Sequence, residues 1–144
     1  MIKTILFLCS GNSCRSQIAE GIANKLLPHD IHIESASIEE HDINLNAIKV
    51  MNQIGISISH YSSKKIKYNN INNFDLVITL CGDAKDNCPV IKSKIHHIHW
   101  DIEEPVVYKG TTEQIENKFA EIRDIIFNNI KELKHIIKKD EIYS

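Results

Sequence analysis

Two apolar blocks limit what this chain can become. "IKTILFL", residues 2 to 8, and "FDLVITL", residues 74 to 80, set apolar side chains side by side instead of at alternate positions. Neighbouring side chains of a strand point to opposite faces, so such strands must be covered on both sides, as in a parallel sheet. Ile31 to Ala36 alternates as a further strand, and "KIHHIHW", residues 94 to 100, reads as another, its histidines alternating across it. Helical patterns stand between them. Residues 14 to 27 put Ile18, Ile22 and Leu26 with Ala19 and Ala23 on one face until Pro28, and Leu45 to Ile54 forms a second helix closed by Gly55.

The strongest periodicity comes last. Ile115, Phe119, Ile122, Ile126, Ile130, Leu133 and Ile137 recur at steps of three and four, a core-facing stripe. Thr111 with Gln114 predicts a capping box at its start, and Lys131, Lys134, Lys138 and Lys139 suit the negative end of its dipole. Strands alternating with helices imply an α/β fold with a four-stranded parallel sheet in three αβα layers. A length of 144 residues, 42% of them hydrophobic, suits a single domain over residues 1–144. The Asn- and Lys-rich stretch 64 to 73 reads as an exposed connection.

Charge and cysteine usage narrow the partners. A net charge of −2 offers no basic excess for nucleic acid or an anionic membrane, so a small molecule or another protein is expected. Ile5 to Cys9 is shorter than the apolar core of a secretory signal, and no later run approaches a membrane span. A soluble, cytoplasmic protein is therefore expected, where thiols stay reduced and a disulfide is more often transient chemistry than a staple. The chain is also expected to be a monomer. Four cysteines in such a compartment call for a chemical explanation.

"CSGNSCRS" supplies one. A loop of small residues between a strand and a helix can turn successive N–H groups inward as an anion nest, and Gly11 and Asn12 tolerate the backbone this needs. Residues Ser10, Gly11, Asn12, Ser13, Cys14 and Arg15 would line the cradle, with Arg15 gripping a tetrahedral oxyanion through its planar fork. The same positive field stabilises a thiolate at Cys9, to which the Ser16 hydroxyl could donate. Cys14 itself reads as structural. Cys81 follows the third strand as Cys9 follows the first, so both thiols emerge at the carboxyl edge of a parallel sheet. Cys88 lies seven residues further, in a segment with Gly82, Asp83, Asp86 and Asn87 before Pro89. The spacing of these cysteines is unlike a zinc knuckle, although zinc held with His96, His97 or His99 is conceivable.

The loop resembles the signature of low-molecular-weight tyrosine phosphatases and of the thioredoxin-coupled arsenate reductases that share their fold. "LCSGNSCRSQIAEG", "ESASIEEHDINLNAIKVMNQIGISIS", "VITLCGDAKDNCP" and "HWDIEEPVVYKGT" resemble consecutive blocks of the reductases, across nearly the whole chain. The block with Cys81 and Cys88 is its most specific part. The resemblance implies a phosphatase-like, flavodoxin-like topology and a reaction in which Cys9 attacks arsenate. Cys81 would then attack Cys9, Cys88 would attack Cys81, and thioredoxin would reduce the final disulfide, with no tightly bound cofactor. The family's acid is an aspartate before a proline; here Glu104 precedes Pro105, with Glu103 beside it. Some relatives bind potassium through residues matching Asn12, Glu20, Ser35 and an aspartate that falls here at Lys64. The Lys64 ammonium would stand in that cation's place beside Glu20, or is simply a surface charge. Two other readings stay open: a low-molecular-weight tyrosine phosphatase, and a non-enzymatic module that binds oxyanions or senses redox state.

Overall fold

In the computed structural model, the described residues are 1–9, 15–37, 42–61, 71, 73–80 and 96–139. Four strands form one sheet: β1 (Thr4–Cys9), β2 (His32–Ser37), β3 (Leu76–Thr79) and β4 (His96–His99). Their order is β2-β1-β3-β4 and every neighbouring pair is parallel. This is the flavodoxin-like arrangement. Leu8 faces Ala36 on one side and Thr79 on the other, and the Leu80 N–H continues the ladder by donating to the Leu8 carbonyl at 2.9 Å.

The apolar block of β1 is buried on both faces, as its composition requires. Ile5, Phe7 and Cys9 join the larger core with Leu76, Ile78 and Leu80, beneath helix α1 (Arg15–Leu26) and the long helix α3 (Thr112–Lys138). Leu6 and Leu8 face the other way, against Val77, Ile71, Ala36 and Phe74. Each such side chain, fully buried, contributes about 1.5–3 kcal/mol. Ile71 belongs to the stretch expected to be an exposed connection, yet it is buried. An isolated apolar residue in a polar run shows no periodicity from which a covering role could be read.

Helix ends depart from expectation by one or two residues. α1 begins at Arg15, and Leu27 closes its last turn through an N–H bond to the Ala23 carbonyl. Leu26 is only half-buried; Leu27 takes the core position instead. Helix α2 (Leu45–Asn52) starts at Asn44, whose side chain accepts from the Asn46 N–H. It ends two residues early because the chain turns back over Gly55, at φ 75°, and the Ile56 N–H returns to the Met51 carbonyl. Gly21 on α1 lies against this turn: a β-carbon there would approach Ile58 Cγ2 to 2.9 Å and Met51 Cε to 3.0 Å. The capping box of α3 forms as the sequence predicts, Gln114 N–H to Thr111 Oγ1 at 3.1 Å and Thr111 N–H to Gln114 Oε1 at 2.9 Å.

Candidate active site

The site begins where β1 ends. Cys9 is the last residue of that strand and is fully buried, its Sγ 3.1 Å from Ser16 Oγ. Ser16 stands on the first turn of α1, so strand and helix present thiol and hydroxyl to one point. Arg15, the first helical residue, is fully buried, although an arginine is almost never buried unless paired. Its Nη1 donates to the Ile102 carbonyl at 2.6 Å, and its Nη2 lies 3.9 Å from Glu104 Oε2. Arginine was legible as an anion ligand. Its hold on the loop after β4 was not, because Ile102 is 87 residues away and contributes only a carbonyl.

That loop carries the two candidate acids, and they are held by different partners. Ile102 and Pro105 are buried, and the chain turns through a short 3-10 segment, Pro105–Val107. Glu104 is in extended conformation (φ −79°, ψ 110°), as a residue before proline prefers. Its side chain is 18% exposed and is paired with Arg15, whereas that of Glu103 is 57% exposed and its Oε2 sits 3.0 Å from Lys118 Nζ on α3.

Of the residues matching a cation site, Ser35 donates its hydroxyl to Glu20 Oε1, joining β2 to α1. Asn12 and Lys64 lie outside the described residues, as do Ser10, Gly11, Ser13, Cys14, Cys81 and Cys88. Cys81 directly follows Leu80, the residue hydrogen-bonded to the strand of Cys9. Among the described residues, no group of three or more histidine, cysteine or carboxylate side chains could hold a metal ion.

One polar cluster escaped sequence reasoning. Thr79, buried on β3, places its Oγ1 2.9 Å from His97 Nε2 and 2.7 Å from His99 Nδ1. A hydroxyl has one proton, so it donates to one ring and accepts from the other. Burial, and then the neighbouring charge of His99, holds the His97 imidazole below its ordinary 6.5. Period-two alternation put His97 and His99 on one face; only the pairing of β3 with β4, which sets Thr79 opposite His99, shows that its hydroxyl reaches both rings.

A thiol at the end of a central parallel strand, a hydroxyl within hydrogen-bond reach of it on the following helix, a buried guanidinium and a carboxylate beside it define an oxyanion-handling enzyme of nucleophilic type. Comparison with known proteins agrees. Residues 4–142 match the family model of the low molecular weight phosphotyrosine protein phosphatases. The arsenate reductase of Bacillus subtilis (strain 168) is 46% identical over 130 residues, covering 90% of this chain and 94% of that protein. A solved arsenate reductase in the phosphate binding state superposes with a TM-score of 0.76 at 31% identity, covering 93% of this chain and 98% of its own. The thioredoxin-dependent arsenate reductase of Corynebacterium glutamicum shares the fold, with a TM-score of 0.71 at 24% identity over 96% of this chain and 63% of its own. The chain belongs to the low molecular weight phosphotyrosine protein phosphatase family, on the branch formed by its arsenate reductases.

Proposed function

We propose that this chain reduces arsenate to arsenite, with Cys9, Cys81 and Cys88 acting in turn and thioredoxin restoring the thiols. Arsenate enters the cradle of residues 10–15, and the Cys9 thiolate forms a bond to arsenic. The displaced oxygen departs as water after taking a proton from Glu104, while Arg15 and N–H groups of that loop would hold the oxyanion charge. Cys81 then attacks the Cys9 sulfur. The electron pair of the sulfur–arsenic bond stays on arsenic, which leaves as arsenite, and a Cys9–Cys81 disulfide remains. Cys88 attacks Cys81, freeing the Cys9 thiolate, and the Cys81–Cys88 disulfide passes to thioredoxin. That last exchange runs forward only if the disulfide is no more reducing than thioredoxin, at about −270 mV.

The observation that carries this reading is the bond from Leu80 to Leu8. Strands joined in this way run about 4.8 Å apart, and a disulfide needs α-carbons roughly 4.4–6.8 Å apart. That spacing supports Cys81, the next residue of the chain, as the thiol that attacks Cys9. Glu104 is favoured over Glu103 as the acid because Arg15 holds it, while Lys118 draws Glu103 outward. No helix among the described residues is long and apolar enough to cross a membrane. For potassium, the one carboxylate among the matching residues, Glu20, already accepts the Ser35 hydroxyl.

The test mixes the reduced protein with arsenate, thioredoxin, thioredoxin reductase and NADPH and follows NADPH loss. Turnover that depends on arsenate is expected. Cys81→Ser should abolish arsenite release while hydrolysis of an aryl phosphate, which of the three thiols needs only Cys9, continues. Equal turnover with glutathione and glutaredoxin alone would redirect the assignment of the reductant, and arsenite release by Cys81→Ser would end the three-thiol reading.

A further inference from the structure

We propose that Lys118, on the second turn of α3, is a positioning residue for the reaction: by holding Glu103 outward it keeps Glu104 turned in towards Arg15. This rests on the reading of Glu104 as the acid. Lys118 Nζ lies 3.0 Å from Glu103 Oε2, 3.5 Å from Glu121 Oε2 and 5.1 Å from the centre of the Tyr108 ring, and its side chain is only 16% exposed. An isolated surface ion pair contributes little. Here one ammonium engages both ends of a single loop, Glu103 before the 3-10 turn and Tyr108 after it, and binds them to the longest helix among the described residues.

Local geometry turns that grip into a constraint on the acid. Successive side chains of an extended backbone project to opposite sides, so pulling Glu103 one way sends Glu104 the other. Arg15 fixes the inner side through the Ile102 carbonyl and Glu104, and Lys118 fixes the outer side one residue away from each. Pro105, with φ locked by its ring, prevents the chain from turning beyond them. Without Lys118 the outer restraint is gone, and the segment between Ile102 and Pro105 can rotate. The guanidinium of Arg15 stays, so oxyanion binding is retained while proton delivery is misplaced. Lys118 is itself held more firmly protonated than a free lysine, first by its hydrogen bond to Glu103, so the clamp persists throughout the neutral range.

Leaving-group dependence separates this role from a merely structural one. A good leaving group departs without a proton and a poor one needs it, so loss of an aligned acid shows selectively with the poor one. Aryl phosphates cleaved at Cys9 supply both kinds. Lys118→Met is expected to lower kcat/KM for phenyl phosphate about tenfold and for 4-nitrophenyl phosphate by less than about twofold, since small misplacements of a reacting group carry such costs. Arsenate turnover should follow phenyl phosphate, because hydroxide also leaves poorly. Lys118→Arg should restore most of the loss, Glu103→Gln should reproduce it in milder form, and Lys118→Met should add nothing in a Glu104→Gln background. Equal losses on the two esters, or no loss on either, would overturn the proposal while leaving Glu104 in place provided Glu104→Gln shows the selective effect. If Glu104→Gln lacks that effect, the assignment of the acid falls and the role of Lys118 falls with it.

Discussion

Ser16 and Arg15 stand next to each other on α1 and act on different parts of the reaction, so their variants should fail in different ways. Ser16 Oγ lies 3.1 Å from Cys9 Sγ, and such a hydrogen bond contributes about 0.5–1.5 kcal/mol. Ser16→Ala should therefore slow iodoacetamide alkylation of Cys9 at neutral pH by up to about tenfold, read by mass spectrometry, with anion affinity little changed. Arg15→Lys should do the reverse. A lysine cannot reproduce the two-sided grip on Ile102 and Glu104, and loss of one oxyanion donor costs about 10²–10³ in rate, so kcat/KM for arsenate should fall by at least that much. Both residues were legible because the chemistry at stake is compressed into a few consecutive positions. Lys118 and Thr79 were not, since each gains its meaning from a partner brought in by packing or register.

Elements carry their own tests. Thr111→Ala removes one half of the capping box of α3 and should lower unfolding stability by about 1 kcal/mol in a urea titration. Gly21→Ala on α1 sets a helix-propensity gain of about 1 kcal/mol against overpacking at Ile58 and Met51 that costs about 1–3 kcal/mol. Because the contacts of 2.9 and 3.0 Å involve side chains from two different positions, overpacking wins, and the urea midpoint should fall. The edge strand β4 should be sensitive to acid. His97 is held below 6.5 in the fold, so the unfolded chain binds a proton more readily; this contribution is complete above pH 6.5 and is lost as pH falls through the lower value of His97. His97→Asn should accordingly narrow the drop in unfolding midpoint between about pH 7 and pH 5. Element types were readable from period and caps. Their ends were less so: Gly55 announced a stop, but where α2 gives way depends on how the turn packs against Gly21.

For the molecule as a whole, β1 is the strand around which everything else is arranged. It pairs on both sides and is buried on both faces, so its amides should exchange with deuterium only on global unfolding, whereas those of β4, which among the described residues pairs with β3 alone, should exchange sooner. Uniform protection across the four strands would contradict that ranking. The parallel sheet was legible because a strand covered twice must be apolar throughout. The joining of its carboxyl edge to the loop after β4 was not, because Arg15 and Ile102 belong to remote parts of the chain. That union has a consequence for life in a cell. The guanidinium is buried and latched to the acid-bearing loop, so it meets an anion in a fixed orientation and selects by shape and charge. Phosphate shares both traits with arsenate, and its abundance thus becomes the throttle on detoxification: tolerance of a given arsenate dose should decline as intracellular phosphate rises.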